Sequence, residues 1–508
     1  MTAAAMHEAG ATLEQLLAGL GAGALPAMRV EALAMDSRGV APGTLFLACR
    51  GGSRHGLDFA EQAVRAGAAA IVAEPDASWT PARLTALAQA LGVPVIALGE
   101  LGARAGEIAA RFHGRPGDRL RLIGVTGTNG KTTVTQYLAR ALAPDLRCAV
   151  VGTLGAGYPD ALRPTTHTTP DAVALQATLA GLAAGGARAV AMEVSSHALH
   201  QQRVTGLRFD TAVFTNLTRD HLDYHLTMEA YADAKARLFR SPGLRLAVIN
   251  TDDAFGLALF GETVRRVPVV ACGLDGVPAH AERFVAAERV SADVTGLALH
   301  VRTSWGEGEL VSPLLGRFNA ANLLAVLAVL LEAGVAMDDA LGRLVALRTV
   351  AGRMERLGGG EQPLVVVDYA HTPDALTQVL GALREHCRGR LHCVFGCGGD
   401  RDTGKRPLMG EVAETLADRV TVTDDNPRRE DGDAIVAQIL AGMREPARAT
   451  VERNRARAIG LAIADAMAGD IVLVAGKGHE DYQQVGDLKL PFSDRAVVKD
   501  LLGRGSAP

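Results

Sequence analysis

The chain has 508 residues, of which 48% are hydrophobic and 21% are charged, and its formal net charge is −4. This length exceeds what one ordinary core serves, so we expect a globular protein of two to four domains. The weakly acidic balance lacks the basic footprint of proteins that neutralise phosphates, which argues against nucleic-acid binding and favours small-molecule partners.

Cysteine usage and hydropathy indicate a cytoplasmic protein. The six cysteines are scattered and none forms the CxxC pair of a zinc or redox site, so we expect reduced thiols. The longest apolar stretch, NLLAVLAVLLEAGVAM, is interrupted by Glu332 and is shorter than a membrane span. The start of the chain lacks a basic region followed by an apolar one. We therefore expect no membrane insertion.

The first predicted domain spans residues 1–114. Strand and turn elements are predicted in DSRGVAPGTLFLACRGG and in AAAIVAEP, each ahead of a helical pattern. We expect a small α/β domain.

From about Leu120 onward, short apolar runs alternate with longer helical patterns. The runs are RLIGV, RAVAMEV, TAVFTNL, LAVIN, PLVVVDY, LHCVFGC, RVTVTD and DIVLVAG. Continuous apolar runs that end in polar or glycine-rich turns are typical of parallel strands buried on both faces. We predict two further α/β domains, residues 115–349 and 350–508, with VAGRMER as a glycine hinge between them.

The segment LIGVTGTNGKTTVTQYLARAL places a strand, a glycine-bearing turn and an amphipathic helix in succession, which is the context of a phosphate-binding loop. Gly127 and Gly130 would let backbone N–H groups approach phosphate oxygens, Lys131 would reach the β- and γ-phosphates, and Thr132 or Thr133 would ligate Mg²⁺. The strict P-loop pattern would require glycine at Val125, so the departure points away from generic P-loop ATPases. A glycine-rich turn with a fortuitous lysine is the alternative.

Polar residues follow the next predicted strands. Glu193 ends the strand in AMEVSSHALHQQRV, and FTNLTRDHLDYH offers His221 among acids within one turn. A carboxylate at this edge of a parallel sheet faces the ligand crevice, and an imidazole can complete a mixed metal shell. Lys235 lies on a predicted helix, YADAKARLF, and as an ammonium it would repel a cation. Taken alone, Glu193 could be structural, and His221 and Lys235 would more often be structural than functional.

The ordered motifs resemble those of the Mur ligase family, which joins amino acids to growing peptides at the expense of ATP. The motifs are DSRGVAPGTLF, GTNGKTT, HTTP, MEVSSHAL, TNLTRDHLDYH, YADAKARLF, DYAHTPD, FGCGGDRDTGKRP, DDNPR and GKGHEDYQ. The resemblance implies three domains: a small N-terminal α/β uridine-binding domain, a central P-loop-type parallel-sheet ATPase domain, and a C-terminal Rossmann-like α/β domain.

The resemblance also implies a set of site residues. Lys131, Glu193, His221 and Lys235 would be catalytic, and Lys235, carbamylated by CO₂, would bind Mg²⁺ together with Thr132, Glu193 and His221. ATP would be bound by Gly127, Thr128, Asn129, Gly130, Lys131, Thr132, Thr133, Asn319, Asp368 and His371. The UDP-linked muramoyl dipeptide would be bound by Ser37, Gly52, Ser53, Arg54, Thr168, Thr169, Ser195, Gln201 and Arg203.

The turn VTDDNPRRED would select the incoming amino acid. The resemblance assigns Asp425, Asn426, Pro427, Arg428, Arg401, Gly476 and Glu480 to diaminopimelate binding. Arg428 could bind the far carboxylate of diaminopimelate through two parallel hydrogen bonds, and lysine has no such carboxylate. Arg401 and Glu480 would hold the other end, on a carboxylate and an ammonium. We expect Arg429, Glu430 and Asp431 to be solvated surface.

The implied activity is ATP-dependent addition of meso-2,6-diaminopimelate to the D-Glu γ-carboxylate of UDP-N-acetylmuramoyl-L-alanyl-D-glutamate through an acyl phosphate. The expected partners are these small molecules and ATP, without nucleic acid, and we expect a monomer. The alternatives are a folylpolyglutamate synthase, the Mur enzyme that adds a dipeptide, and a nucleotide-driven binding switch without ligase activity.

Overall fold

The computed structural model describes residues 10–23, 25–51 and 54–504. The chain divides into two compact units, Met1–Cys272 with Val277–Phe284, and Gly273–Gly276 with Val285–Pro508. Each unit is described by itself. Among the described residues, no helix combines the length and hydropathy that crossing a bilayer requires.

The first unit begins with a small parallel sheet in the order β3-β4-β5-β6. Leu45 and Leu47 of β4 are buried with α1 and α4 on one face, and Phe46 packs on the other face. This arrangement agrees with the α/β prediction for the first domain. The elements are β1 Ala11–Thr12, α1 Leu13–Leu17, β2 Arg29–Val30, β3 Ala32–Ala34, β4 Thr44–Ala48, α2 Ala60–Arg65, β5 Ala68–Ala73, α3 Pro81–Leu91, β6 Val95–Ala97 and α4 Leu101–Phe112.

The rest of the first unit is a larger sheet in the order β10-β9-β8-β11-β7-β12-β13-β14. The neighbouring strands β8, β11, β7, β12, β13 and β14 are parallel, whereas β9 and β10 form an antiparallel edge beside β8. The elements are β7 Arg121–Thr126, α5 Lys131–Leu142, β8 Cys148–Gly152, β9 Gly155–Tyr158, β10 Ala161–Arg163, α6 Ala172–Ala184, β11 Ala189–Glu193, α7 Ser196–His200, β12 Thr211–Phe214, α8 Leu222–His225, α9 Met228–Ala236, β13 Leu246–Asn250, α10 Ala254–Thr263 and β14 Val269–Gly273.

The second unit carries an antiparallel meander, β15 to β17, and two helices ahead of a mostly parallel sheet. That sheet has the order β18-β19-β23-β20-β21-β22, and only β18 pairs antiparallel within it. The elements are β15 Arg283–Asp293, β16 Gly296–Thr303, β17 Gly306–Ser312, α11 Arg317–Glu332, α12 Met337–Val345, β18 Glu355–Gly358, β19 Leu364–Asp368, α13 Pro373–His386, β20 Leu391–Phe395, α14 Lys405–Leu416, β21 Arg419–Val422, α15 Gly432–Leu440, β22 Thr450–Val451, α16 Arg455–Asp465, β23 Ile471–Ala475, β24 Tyr482–Val485, β25 Leu488–Pro491 and α17 Asp494–Arg504.

The apolar runs of the sequence form the buried centres of both parallel sheets. Every residue of β11, β12, β19, β20 and β23 is buried, because helices cover both faces. The α/β class and the parallel sheets are therefore confirmed. The domain limits at residues 114/115 and 349/350 stay predictions.

The two tryptophans of the chain lie in different units. Trp79 is half-buried in the first unit, with the Arg83 guanidinium 4.9 Å from the centre of its ring. Trp305 lies in the turn between β16 and β17 of the second unit and is 37% exposed.

Candidate active site

The phosphate loop connects β7 to α5 through residues 127–130. Gly127 and Gly130 have φ angles of 150° and 83°, in the region that favours glycine. A Cβ at Gly127 would clash with Thr215 Oγ1, so two backbone segments approach closely there. Lys131 is the first residue of α5, and its Nζ donates to Gly127 O and Thr128 O at 2.8 Å each. The ammonium therefore lies over the loop at the N-terminus of a helix, as phosphate binding requires.

Residues after β12 hold this loop in place. Asn216 accepts hydrogen bonds from Thr128 N at 2.8 Å, through its backbone, and from Asn129 N at 3.0 Å, through its side chain. Thr128 Oγ1 accepts from Thr218 N at 3.0 Å and lies 3.2 Å from the Tyr231 hydroxyl. The loop is thus tied both to the segment that leads to His221 and to α9, which carries Lys235.

Glu193 ends β11, as expected, and is 1% exposed. Its carboxylate accepts hydrogen bonds from Thr153 N at 2.8 Å and Thr153 Oγ1 at 3.2 Å. Thr153 was not among the predicted residues, because it lies far from Glu193 in sequence and belongs to no recognised motif. It fixes the orientation of the carboxylate.

Lys235 is buried beneath an aromatic ring. Its side chain is 1% exposed, and Nζ lies 4.2 Å from the centre of the Tyr231 ring. Burial lowers the pKa of Lys235 well below its ordinary value; nearby Lys131 lowers it further and Asp220 opposes the shift. Among the described residues, Lys235 has no hydrogen-bond acceptor. A neutral amine is therefore favoured at this position.

His221 lies close to the same charges. It has a left-handed backbone with φ of 53°, and its Nε2 is 3.4 Å from Asp220 Oδ2. Burial lowers the pKa of His221, Asp220 raises it, and Lys131 and Lys235 lower it. The structure thus brings Lys131, His221 and Lys235 within electrostatic range of one another.

The donors around the loop fit Mg²⁺ only partly as they stand. In the part of the chain that the structure describes, no three His, Cys, Asp or Glu side chains form a metal-binding group. Glu193 supplies one carboxylate. Thr132 is 7% exposed, and its hydroxyl has no hydrogen-bond partner among the described residues. Mg²⁺ prefers several oxygen ligands. A carboxylated Lys235 would supply the missing anionic oxygen.

Five predicted dipeptide-binding residues, Thr168, Thr169, Ser195, Gln201 and Arg203, lie in hydrogen-bonded chains around Glu193. Thr168 Oγ1 is 3.1 Å from Thr153 Oγ1, and Thr169 Oγ1 donates to Glu193 O at 2.9 Å. Ser195 N donates to Thr169 Oγ1 at 3.1 Å. Arg203 donates to Thr169 O and to Gln201 Oε1, both at 2.9 Å.

Two of the predicted uridine residues, Ser37 and Arg54, belong to the described part of the chain. Ser37 Oγ donates to Gln62 Oε1 at 3.2 Å, and the Arg54 guanidinium lies 5.8 Å from the centre of the Phe59 ring. Gly52 and Ser53 lie outside the described residues. Among the described residues, no hydrogen bond joins Ser37 or Arg54 to the dipeptide residues.

The remaining predicted ATP residues belong to the second unit. Asn319 is buried, and its Nδ2 donates to Leu315 O at 2.8 Å. Asp368 accepts from Met354 N and Ala370 N at 2.8 Å each, and burial raises the pKa of Asp368. His371 Nδ1 lies 2.8 Å from Tyr369 O. Within the described part of the chain no hydrogen bond joins these three residues, but His371 lies close enough to Asp368 to lower its pKa.

The predicted selector loop follows β21 and hydrogen-bonds to the segment around Gly399 and to β24. Asp425, Asn426 and Pro427 are buried, and Arg428 has a left-handed φ of 51°. Arg428 Nη1 donates to Gly399 O at 2.6 Å, and Arg428 N donates to Gln484 O at 3.1 Å.

The other predicted residues of this group sit around that loop. Gly476 has φ of 115°, and a Cβ there would lie 2.6 Å from Asp425 Oδ2. Glu480 Oε2 accepts from Asn426 Nδ2 at 3.0 Å. Arg401 is exposed, and its Cγ lies near Gly398. The hairpin β24–β25, absent from the sequence-based prediction, supports the loop through Gln484.

On the flank of this loop, Arg429 and Asp431 are exposed as expected, whereas Glu430 differs from the expected solvated surface. Glu430 forms a two-bond ion pair with Arg406, at 2.8 and 3.0 Å, and the Arg406 side chain is fully buried. Arg429 is exposed and pairs with exposed Asp487, which agrees with the expectation. Asp431 caps α15 by accepting from Asp433 N at 3.0 Å. The prediction for Glu430 was wrong because its partner lies 24 residues earlier in the chain.

Three family models match the chain in succession: "Mur ligase family, catalytic domain" at residues 29–113, "Mur ligase middle domain" at 125–330, and "Mur ligase, glutamate ligase domain" at 352–478. A relative from Alkalilimnicola ehrlichii is 54% identical over 93% of this chain and 95% of its own length. A relative from Pseudomonas aeruginosa is 52% identical over 94% of this chain and 96% of its own length. Both carry the name UDP-N-acetylmuramoyl-L-alanyl-D-glutamate–2,6-diaminopimelate ligase.

A solved structure with the same name is 35% identical, with a TM-score of 0.70, and covers 98% of this chain and 100% of the other. The phosphate loop on a parallel sheet, the three Mur ligase models and the similarity to these named ligases together identify a ligase of the acid–amino-acid class. The chain belongs to the Mur ligase family. The similarity spans nearly all of both chains, which disfavours the folylpolyglutamate synthase and binding-switch alternatives.

Proposed function

We propose that this protein attaches meso-2,6-diaminopimelate to the D-Glu γ-carboxylate of UDP-N-acetylmuramoyl-L-alanyl-D-glutamate, with ATP converted to ADP and phosphate. The names of its relatives support this activity. The observation that carries it is the Arg428 side chain. One of its N–H groups is held by Gly399 O at 2.6 Å, and the other guanidinium N–H groups have no partner among the described residues. They are available for a carboxylate.

The reaction begins with activation of a carboxylate, which does not acylate an amine at neutral pH. The γ-carboxylate attacks the γ-phosphorus of ATP, the bond to the β-phosphate oxygen breaks, and an acyl phosphate and ADP form. Lys131, at the N-terminus of α5, stabilises charge on the transferring group. Mg²⁺, when bound, neutralises phosphate charge and orients the oxygens. The amine then attacks the acyl carbon, phosphate leaves, and the amine loses a proton.

Glu193, Thr132, His221 and Lys235 are the residues that would hold Mg²⁺. The support for Lys235 is its burial and its lowered pKa, because only a neutral amine reacts with CO₂. Its Nζ lone pair attacks the carbon of CO₂ and Nζ loses a proton to water. The product is a carbamate, which turns a buried cation into an oxygen ligand.

The dipeptide binds at Thr168, Thr169, Ser195, Gln201 and Arg203, with Ser37 and the segment 52–54 assigned to the uridine end. The network around Glu193 supports the first assignment, since it connects these side chains to the carboxylate at the end of β11. ATP would also contact Asn319, Asp368 and His371. Each of these roles is a proposal.

Diaminopimelate binds at the selector loop, and we assign Glu480 to the same end of the molecule as Arg428. Glu480 accepts a hydrogen bond from Asn426, which lies two residues before Arg428 in the chain. Burial raises the pKa of Tyr482; Glu480 raises it further and Arg428 lowers it, so both charges lie near one hydroxyl. The far carbon of diaminopimelate carries a carboxylate and an ammonium, which these two residues match. This assignment revises the expectation that Glu480 holds the opposite end.

The direct test is product formation by the purified protein with UDP-N-acetylmuramoyl-L-alanyl-D-glutamate, ATP and Mg²⁺. We expect meso-diaminopimelate to outcompete L-lysine and L-ornithine in an equimolar mixture, with one ADP released per tripeptide identified by mass spectrometry. Formation of ADP only with D-alanyl-D-alanine and a tripeptide acceptor would instead indicate the dipeptide-adding enzyme. No ADP with any amine would overturn the ligase activity.

We further propose that the protein acts as a monomer in the cytoplasm, where ATP is available. Light scattering of the purified chain tests the first point, and cell fractionation tests the second.

A further inference from the structure

Lys477 is a buried cation between two of the residues assigned to the amino-acid substrate. Its side chain is 0% exposed, and Nζ donates to Asn426 Oδ1 and to Glu480 Oε2 at 3.0 Å each. Nζ also lies 5.5 Å from the centre of the Tyr482 ring. Lys477 was not assigned a role from the sequence.

This lysine determines how Asn426 is oriented. An ammonium only donates hydrogen bonds, so Asn426 must turn its Oδ1 toward Lys477. The same Oδ1 accepts from Gln484 N at 2.8 Å. Asn426 Nδ2 consequently points at Glu480 Oε2, at 3.0 Å. The three side chains form a closed triangle of hydrogen bonds, and Lys477 donates two of the three.

Both donors of the triangle converge on the same oxygen of Glu480. Lys477 and Asn426 bind Oε2, whereas Oε1 has no hydrogen-bond donor among the described residues. Glu480 is 18% exposed at its side chain, so one oxygen is anchored and the other is available to a ligand.

The charges of this small region favour a zwitterion over a bare cation. Lys477 pairs with Glu480, and Arg455 pairs with Asp494. Buried Asp425 lies near both pairs, and Arg428 adds one further positive charge nearby. An amino acid whose far end carries both an ammonium and a carboxylate adds no net charge. An amino acid such as lysine adds a second ammonium beside Lys477, and like charges in a poorly solvated region repel strongly.

We propose that Lys477 is a positioning residue that also rejects amino acids with a cationic far end. Its positive charge neutralises the negative charge of Glu480. Glu480 therefore attracts the far ammonium of a substrate only when the same substrate also carries a carboxylate that binds Arg428. Selection against lysine then has two parts, a lost bond at Arg428 and a repulsion from Lys477. The inference rests on the proposed function and specifies how the same site chooses its substrate.

The experiment compares L-lysine with L-norleucine, which has the same carbon chain without the far ammonium. Both are tested as competitors of diaminopimelate, and the ratio of their inhibition constants isolates the effect of the far charge. With the unaltered protein, we expect lysine to bind no better than norleucine. In K477M, the inhibition constant of lysine should fall relative to that of norleucine by at least about tenfold, which is about 1.4 kcal/mol.

The control is K489M, because Lys489 lies over the same Tyr482 ring at 4.3 Å, is exposed, and contacts neither Asn426 nor Glu480. Its lysine-to-norleucine ratio should stay within about twofold of that of the unaltered protein. A general loss of stability would weaken both competitors alike and leave the ratio unchanged. If K477M does not fold, K477Q keeps a donor for Asn426 Oδ1 without the charge and should shift the ratio in the same direction.

A shift below about twofold in K477M, or no inhibition by either amino acid in that variant, would overturn the role of Lys477 while leaving the proposed function intact. Failure of the unaltered protein to form product from diaminopimelate would instead overturn the proposed function, and this inference with it.

Discussion

Glu193 and Thr153 form a two-point contact at the carboxyl end of the central sheet: the backbone N–H of Thr153 and its hydroxyl both donate to the same carboxylate, at 2.8 and 3.2 Å. A carboxylate bound in this way has a fixed direction. The Thr153 hydroxyl also lies 3.1 Å from that of Thr168, so one side chain connects the proposed metal ligand with the proposed dipeptide site.

Thr153→Val should lower kcat on the order of tenfold with little change in fold, because the shape and the backbone N–H are kept while the hydroxyl bond to a charged group is lost. Steady-state ADP release measures the effect. Thr178→Val is the matched control, since among the described residues the Thr178 hydroxyl hydrogen-bonds only to Ala174 O in its own helix. Equal rates for both variants would remove Thr153 from the site.

Arg428→Ala should reduce kcat/KM for diaminopimelate by about 30-fold to several thousand-fold, since truncating one partner of a buried charge pair costs about 2 to 5 kcal/mol. The neighbouring Arg429→Ala serves as control, because Arg429 is exposed and pairs only with Asp487 among the described residues. A loss below threefold for Arg428→Ala would contradict the assignment of the far carboxylate.

Lys235→Ala should lower turnover by at least about 100-fold, because a ligand-forming oxygen is lost from the Mg²⁺ site. Intact-mass measurement in bicarbonate provides a second readout: the unaltered protein should gain one CO₂, and the variant should not. Lys499→Ala, at an exposed position of α17, should keep both the adduct and the activity. Full turnover of Lys235→Ala would exclude Lys235 from the mechanism.

Glu430→Gln should lower the free energy of unfolding by about 1 to 2 kcal/mol at neutral pH, since the buried Arg406 guanidinium loses its anion but keeps its hydrogen bonds to Gln438 and Gly398 O, and Glu430 itself is partly exposed. Hydrogen bonding to Arg406 lowers the pKa of Glu430. A carboxylate with a lowered folded-state pKa stabilises the fold above the unfolded-state pKa of about 4.3, and this contribution is lost as the pH falls through the folded-state pKa.

Urea unfolding from pH 8 to pH 3 tests this pair. The difference in the free energy of unfolding between the unaltered protein and Glu430→Gln should be constant above about pH 5 and should become smaller below about pH 5. Glu445→Gln, which breaks an exposed pair with Arg448, should leave the transition unchanged. A difference that grows toward low pH would contradict the assignment.

The local patterns of the sequence predicted the phosphate loop and the positions of the strand-end residues well. Gly127, Gly130 and Lys131 lie where a strand meets a helix, and Glu193 ends a fully buried strand, because apolar runs and the residues that terminate them are local signals.

Contacts between distant segments escaped prediction. Thr153 reaches Glu193 across 40 residues, Lys477 reaches Asn426 across 51, and Glu430 meets Arg406 across 24. Tertiary packing, which no local pattern encodes, determines such pairs. The antiparallel strands β15 to β17 and the hairpin β24–β25 were also missed, since they lack the continuous apolar runs that indicate buried parallel strands.

Having one tryptophan in each unit gives the protein a built-in pair of optical reporters. In the Trp305→Phe variant, Trp79 is the single source of indole emission, and in the Trp79→Phe variant Trp305 is the single source. Each unit can then be followed by intrinsic fluorescence without a chemical label. Comparing the two single-tryptophan proteins during nucleotide or amino-acid addition would report which unit responds to which substrate, and in what order.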